Sequence, residues 1–244
     1  MARFTFFRRK RTRAGSSFHF VRDYEALVAS LIRDYPLDRA MELAVGGEYE
    51  LLGQVQTAIL TYAGLKNGDC VVDVGCGSGR LASALSKTFA IDYLGADIIQ
   101  ALLDYARTKS APNYRFVLHR ELSIPAPDAS ADFVCAFSLF THLQQSESYI
   151  YLREMSRVVK PTGRILFSFL EFAEPTHWPI FEATVNEQIA GRLPHLNAFL
   201  ERSVIGLWAS RLGLEVAEYV DALEKRWNGQ PLGQALAILR KAAA

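Results

Sequence analysis

An acid followed by three alternating glycines stands in the first third of the chain. Asp73, Gly75, Gly77 and Gly79 come directly after an apolar, β-branched pair at residues 71–72. Such an opening is typical of a strand buried on both faces of a parallel sheet. Glycine lets the backbone bend sharply and approach a ligand, because no Cβ intervenes. A strand, a glycine turn and a helix together form a nucleotide site, although a lone turn of this kind can also carry no ligand.

Asp97 supplies the second half of this pattern. It follows a short apolar stretch at residues 91–96 and lies 24 residues beyond Asp73. An acid about 20 residues after the glycine turn has the spacing that places a carboxylate on ribose hydroxyls. The fingerprint for NAD fits less well, because it needs glycine at its sixth position, where Arg80 stands.

These residues resemble the donor site of one enzyme family. Residues 73–79 are similar to the first motif of the class I S-adenosylmethionine-dependent methyltransferases, and residues 93–98 are similar to their second motif. The likeness is to small-molecule methyltransferases of types 11 and 12, and it implies S-adenosylmethionine as the cofactor. The residues that it implies for donor binding are Asp73, Gly75, Cys76, Gly77, Asp97, Ile98, Glu121, Leu122 and Ser138.

The expected adenine contact departs from the family pattern. Residues 124–134 resemble the family's segment of leucine-proline, loop, aspartate and fourth strand. Alignment on that segment puts Arg120 where many members carry an acid for the adenine amino group. We therefore expect the Glu121 side chain, or the backbone of Glu121 and Leu122, to hold the adenine edge.

His142 is the candidate catalytic base. Methyl transfer from a sulfonium is an in-line displacement, so positioning supplies much of the rate, and a base is needed only when the acceptor arrives protonated. Imidazole titrates near neutral pH, and His142 lies just past the predicted fourth strand. The family resemblance also places a histidine near this position in many small-molecule members. Glu171 and His177 are alternative bases, and packing or helix capping is the non-catalytic interpretation of His142.

Two classes of acceptor are excluded by missing motifs. Residues 138–141 lack the Asn/Asp-Pro-Pro-aromatic run with which amino methylases grip adenine or glutamine. Cytosine C5 methylation needs a cysteine nucleophile in a loop, whereas Cys135 falls inside a predicted strand. The expected acceptor atom is therefore an oxygen, or an aliphatic nitrogen, on a small molecule, sugar or lipid head group.

Composition indicates an ordinary globular protein. The chain has 244 residues, of which 50% are hydrophobic and 22% charged, enough for one α/β domain with a full core. No apolar run approaches the roughly 20 residues that span a bilayer. Cys70, Cys76 and Cys135 show no paired spacing, so we expect neither a disulfide framework nor a zinc site. A cytoplasmic location is the natural expectation.

Basic residues are concentrated at the start of the chain. Six of the 27 lysines and arginines lie within the first 13 residues, and the rest of the chain is mildly acidic. We expect residues 1–20 to form an exposed arm. This arm could make weak contact with an anionic membrane surface, serve as a transit peptide, or be a solvated tail that binds nothing. We favour the solvated tail, and we do not expect nucleic acid as a partner.

The expected fold is a single α/β domain over residues 21–244. Its core is a doubly wound, seven-stranded, mostly parallel sheet, as in the Rossmann-like methyltransferases that the motifs resemble. The last strand, at residues 234–240, should run antiparallel, because its short connection cannot make a right-handed crossover.

Two segments outside the strand and helix alternation are expected to cover the site. Helices within residues 21–63 should cap the donor pocket, with Gly46, Gly47 and Tyr49 as lid candidates. Residues 171–200 are rich in aromatic side chains and are expected either to cap the acceptor or to cover the sheet edge.

The resulting functional prediction is methyl transfer from S-adenosylmethionine to an oxygen of a small molecule or glycan. One alternative is an RNA methyltransferase whose basic arm holds phosphate. Another is an accessory protein that binds S-adenosylmethionine without catalysis, an interpretation that Arg120 favours.

Overall fold

The computed structural model describes residues 21–191 and 197–243. The basic arm at residues 1–20 lies outside these ranges, as do residues 192–196 within the predicted insert. The predictions made for those segments therefore have no structural counterpart here.

Seven strands form one sheet in the order β3-β2-β1-β4-β5-β7-β6. The first five strands are parallel, and β7 runs antiparallel to both β5 and β6. No helix lies between β6 and β7 to carry a crossover, so β7 returns antiparallel. The predicted fold is confirmed. The strands are β1 Cys70–Val74, β2 Asp92–Asp97, β3 Arg115–Leu118, β4 Ala131–Ala136, β5 Val159–Phe169, β6 Leu214–Val220 and β7 Ala235–Lys241.

Eight α-helices accompany the sheet within the described residues. The helices are α1 Val21–Asp34, α2 Leu37–Ala44, α3 Tyr49–Tyr62, α4 Arg80–Ser86, α5 Gln100–Lys109, α6 Gln145–Val158, α7 Trp178–Ile189 and α8 Arg202–Arg211. Helices α3, α4 and α5 cover one face of the sheet, and α6 and α8 cover the other. Val71 and Val72 alternate between the two apolar clusters, which is why β1 is apolar at successive positions.

The first helices form a cap at the carboxyl edge of the sheet. Val28 of α1 and Met41 of α2 pack with Tyr49 of α3 against Leu102 of α5 in a third apolar cluster. The cap is therefore anchored on the helix that follows β2. It lies at the edge where a parallel α/β sheet carries its ligand site.

The segment after β5 contains a helix that the sequence pattern did not predict. Helix α7 has no buried residue, and it carries Trp178 and Phe181 toward Phe172 and Phe199. Phe172 stacks on Phe199 with ring centroids 4.4 Å apart. Among the described helices, none is long and apolar enough to cross a membrane.

Candidate functional site

A cavity of about 380 Å³ lies between the cap and the carboxyl ends of β1, β2 and β4. Eight of the ten predicted site residues line this cavity, although they come from three separate parts of the chain. Those residues are Asp73, Gly75, Cys76, Gly77, Asp97, Ile98, Ser138 and His142. Glu121 and Leu122 do not line it.

The glycine turn brings backbone directly against the cap. Gly75 and Gly77 have φ values of +72° and +56°, in the left-handed region that side chains other than glycine rarely adopt. A Cβ on Gly77 would lie only 2.7 Å from Cγ1 of Val45. The amides of Gly75 and Cys76 both donate to the carbonyl of Ala96, at 2.8 and 3.1 Å, which ties the turn to β2.

Asp97 is buried at the end of β2 and orders the turn. The amide of Gly77 donates to Oδ2 at 2.8 Å, and the amide of Ile99 donates to Oδ1 at 3.0 Å. Burial raises the pKa of Asp97, and these backbone donors partly oppose that rise. Each carboxylate oxygen can accept a further hydrogen bond, so the side chain can still receive hydroxyl groups from the cavity.

Asp73 is the second buried carboxyl group at the cavity. The hydroxyl of Tyr93 donates to its Oδ2 at 2.6 Å, and Sγ of Cys135 lies 3.7 Å from its Oδ1. Burial raises the pKa of Asp73 to about 6, against the opposing effect of these hydrogen bonds. The tyrosine and the cysteine come from β2 and β4, the two neighbours of β1 in the sheet.

Two hydroxyl groups join the cap to the glycine turn. The hydroxyl of Tyr49 donates to the carbonyl of Ser78 at 3.0 Å, and Oγ of Ser78 donates to the carbonyl of Met41 at 3.0 Å. Tyr49 is buried and does not line the cavity. Its contribution to the site is therefore to hold α3 on the turn.

Arg80, which stands where the NAD fingerprint needs glycine, is buried at the start of α4 and lines the cavity. Its Nη1 donates to the carbonyls of Val45 and Gly47, at 2.9 and 3.4 Å. Gly46, between these two acceptors, lines the cavity as well. Burial lowers the pKa of Arg80, and the Asp73 carboxylate acts in the opposite direction. Of the two lid glycines, Gly46 thus lines the cavity, and the carbonyl of Gly47 accepts a hydrogen bond from Arg80.

The segment after β3 presents His119 and Ser123 to the cavity in place of the predicted pair. Nε2 of His119 lies 2.8 Å from Oγ of Ser123, and the amide of His119 donates to the carbonyl of Asp97 at 2.9 Å. The amide of Ser123 bonds the carbonyl of Glu121 at 2.8 Å in a tight turn, which leaves the Glu121 side chain exposed. Leu122 packs against the apolar core instead. This local turn is the physical reason that Glu121 and Leu122 lie outside the cavity lining.

Arg120 has a structural role that accounts for its place in the sequence. Its Nε donates to the carbonyl of Ile98 at 3.0 Å, and its Nη2 pairs with the carboxylate of Glu25. The side chain therefore connects α1 to the end of β2 beside the cavity. It offers no acceptor for an adenine amino group, because a guanidinium only donates.

The chain after β4 carries the candidate base. The strand ends at Ala136, and Ser138, two residues later, adopts a φ of +59°. Such strained backbone is concentrated at functional sites. His142 ends the short 3₁₀ turn that follows, is half-buried and lines the cavity.

Glu171 and His177, the alternative bases, do not line the cavity. Arg202 forms a bidentate ion pair with the buried Glu171 carboxylate, at 2.9 and 2.7 Å. His177 is buried, and its Nδ1 accepts a hydrogen bond from the amide of Glu171 at 3.1 Å. Both side chains therefore belong to the packing between β5, the following turn and α8.

The structure adds two glutamines that the sequence analysis did not select. Gln56 of α3 and Gln234, just before β7, both line the cavity. Gln56 lies on the otherwise apolar, buried side of α3. A polar amide at such a position is the one sequence signal that could have identified this residue. Gln234 carried no local signal, because only the strand order brings it beside β5.

Comparison with known proteins agrees with this geometry. Residues 71–163 match the model of a protein family whose description is "Methyltransferase domain". The ubiquinone biosynthesis O-methyltransferase of Pseudomonas syringae pv. tomato is 28% identical over 161 residues, which cover 63% of this chain and 67% of the relative.

Two solved structures share the fold. Magnesium protoporphyrin IX methyltransferase from Synechocystis PCC 6803, with bound S-adenosylhomocysteine, superposes with a TM-score of 0.65 at 17% identity, over 91% of this chain and 98% of that chain. A methyltransferase in complex with the Haloferax volcanii Trm112 methyltransferase activator superposes with a TM-score of 0.64 at 20% identity, over the same shares of the two chains, 91% and 98%. Residues 71–163 are therefore a methyltransferase domain, and its motifs and sheet order resemble those of the class I S-adenosylmethionine-dependent methyltransferases.

Proposed function

We propose that the chain transfers the methyl group of S-adenosylmethionine to a hydroxyl oxygen of a small molecule, with His142 as the base. In this reaction the bond from sulfur to the methyl carbon breaks as the bond from oxygen to that carbon forms. S-adenosylhomocysteine leaves, and the hydroxyl proton passes to the His142 imidazole. One observation carries the proposal: a single cavity holds the glycine turn, Asp97 and His142.

The donor fits the half of the cavity over β1 and β2. Asp97 receives the ribose hydroxyls, and the adenine lies along His119 and Ser123 beyond it, at the carboxyl end of β3. The methionine portion then lies over the glycine turn. Arg80 lies at the start of the helix that follows this turn and, among the described residues lining the cavity, is the one arginine or lysine. It is therefore our candidate partner for the donor's carboxylate.

His142 lies beyond β4, on the side of the cavity away from β2 and β3. The strand order β3-β2-β1-β4 puts this side past the donor's methionine portion. A general base must lie within hydrogen-bond reach of the proton that it takes, and a position past the methyl group meets that requirement for an acceptor hydroxyl. The relative from Pseudomonas is named an O-methyltransferase, which supports oxygen as the acceptor atom.

The test is the rate per folded active site of His142→Ala. General-base catalysis is worth about 10²–10⁴-fold, so turnover should fall by that factor while the affinity for S-adenosylhomocysteine, measured by calorimetry, stays the same. The acidic limb of the rate profile should also disappear, because it reports ionisation of the imidazole. His177→Gln is the matched control, since that histidine does not line the cavity. An unchanged acidic limb in His142→Ala would remove His142 from the mechanism.

A further inference from the structure

The cavity extends past the donor's half toward β5 and β7. Gln234 immediately precedes β7, which is three strands from β1 in the sheet order. Neighbouring strands lie about 4.8 Å apart, so Gln234 stands roughly 14 Å from the strand that carries the glycine turn. Its side chain therefore serves the acceptor's end of the cavity and not the adenosine end.

Two serines fix the orientation of the Gln234 amide. Oγ of Ser168 accepts a hydrogen bond from the amide of Ser138 at 2.7 Å, which leaves the Ser168 hydroxyl proton free to donate. That proton goes to Oε1 of Gln234 at 2.6 Å, and the hydroxyl of Ser138 donates to the same oxygen at 3.2 Å. With Oε1 turned to the serines, the Nε2 amide group is the part of Gln234 left to face the cavity.

Gln56 is a second carboxamide at the cavity. It is 1% exposed and lines the cavity. A carboxamide carries both a hydrogen-bond donor and an acceptor, so a buried one that opens onto a cavity can bind a ligand through either group. Its neighbour Val55 packs in the same apolar cluster as Phe137, the residue that follows β4.

The acceptor's end of the cavity has no formal charge among its described residues. Gln56, Phe137, Ser138, Leu139, His142 and Gln234 line it. Asp73, Asp97 and Arg80 belong to the donor's end, and the ion pair of Glu171 with Arg202 lies outside the cavity. A charged group entering this end would lose its hydration without gaining a counter-ion, which disfavours its binding.

We infer that Gln56 and Gln234 form a subsite that holds an uncharged hydroxy compound through a second oxygen atom, which accepts a hydrogen bond from the Gln234 amide. This inference rests on the proposed function, because it takes donor and acceptor to share the cavity. Gln56 offers both a donor and an acceptor to the same compound. The two carboxamides thereby select neutral acceptors that carry this second oxygen on an otherwise apolar molecule.

The experiment measures binding of three phenols to the protein saturated with S-adenosylhomocysteine. Methyl 4-hydroxybenzoate is neutral and carries a carbonyl oxygen, 4-hydroxybenzoate is its charged counterpart, and 4-ethylphenol lacks the second oxygen. We expect the ester to bind at least tenfold more tightly than the carboxylate and about fivefold more tightly than 4-ethylphenol. Gln234→Leu and Gln56→Leu should each abolish the preference for the ester over 4-ethylphenol. Gln54→Leu, exposed on the same helix, should retain it.

Gln234→Glu provides a variant of nearly unchanged shape should a leucine variant fail to fold, and it should reject the carboxylate even more strongly. Equal or tighter binding of the carboxylate, or no binding of any of the three phenols, would overturn the inference. Loss of S-adenosylhomocysteine affinity in the glutamine variants would also overturn it, by moving both residues to the donor. The proposed function fails separately, if the protein does not bind S-adenosylhomocysteine in a manner that depends on Asp97.

Discussion

Two buried carboxyl groups stand on either side of the glycine turn, and their hydrogen bonds give them different tasks. Asp97 accepts from the backbone amides of Gly77 and Ile99, so it is part of the turn. Asp73 accepts from Tyr93 and Cys135, so it is part of the sheet. Asp97 is consequently the carboxylate that we propose for the donor's ribose, whereas Asp73 supports the strand from which the turn starts.

Asp97→Ala should weaken binding of S-adenosylhomocysteine by about 1.5–3 kcal/mol, the cost of losing a charged hydrogen-bond partner. Calorimetry on the folded variant measures this directly. Asp92→Ala, at the exposed opposite end of the same strand, is the control and should bind normally. Unchanged affinity in a folded Asp97→Ala protein would contradict the ribose assignment.

Asp73 should make stability depend on pH. Its folded pKa is raised from 3.8 to about 6, so the stabilisation relative to an unshifted acid is complete below pH 3.8 and is lost as the pH rises through 6. One pKa unit corresponds to about 1.4 kcal/mol, so the loss between pH 4 and pH 7 is on the order of 2–3 kcal/mol. Urea unfolding of wild type and Asp73→Asn at both pH values should show wild type losing this stability relative to the variant. The same pH dependence in both proteins would assign it to another group.

At the scale of elements, direct packing and hydrogen bonds hold the cap and the glycine turn together as one unit. The turn approaches α2 so closely that Val45 occupies the space of a Gly77 side chain. Arg80 and Tyr49 add hydrogen bonds between the same elements. The conformation of the glycine turn and the position of the cap are therefore coupled through short contacts.

A double-mutant cycle on Gly77 and Val45 tests this unit. Gly77→Ala should destabilise the protein by about 2–4 kcal/mol, from a left-handed φ and from overpacking against Val45. In the double variant, Val45→Ala should restore the part of the lost stability that is due to overpacking, about 1–2 kcal/mol. The part that is due to the left-handed φ should remain. Urea unfolding of the four proteins gives the coupling energy. Strict additivity would show that the two residues do not meet.

At the scale of the whole molecule, Arg202 connects the end of β5 to the region between β6 and β7. It pairs with the buried Glu171 and with the exposed Asp221, at 2.7 and 2.6 Å. This network fixes the chain that follows the candidate acceptor site. It also explains why Glu171, although correctly placed in the sequence for a base, faces away from the cavity.

Arg202→Ala should destabilise the protein by about 2 kcal/mol, because it leaves Glu171 buried without its counter-ion. The estimate is below that for a fully buried pair, since Arg202 is 36% exposed. Glu171→Gln in the same protein should restore part of the loss, and turnover per folded molecule should be unchanged in both. Arg240→Ala, which breaks an exposed pair with Glu215, is the control and should have little effect. Reduced turnover per folded Glu171→Gln molecule would return Glu171 to the candidate bases.

The amino-acid sequence alone determined the features that depend on local periodicity and local backbone conformation. The strand, glycine turn and helix at residues 70–86, the acid at Asp97 and the antiparallel direction of β7 all follow from residue order. The class of enzyme followed as well, because its first two motifs are local. His142 also reached the cavity as expected, since a residue just past a parallel strand lies at that edge of the sheet.

Only the tertiary structure decided which distant residues share the cavity. Gln56 and Gln234 are far apart in sequence and line one cavity because α3 packs on the sheet in which β7 lies beside β5. A tight turn places Ser123 at the cavity and leaves Glu121 outside it, and an ion pair holds Glu171 away from the cavity. Each outcome depends on a hydrogen bond or a strand order between remote segments, and local periodicity carries no information about such partners.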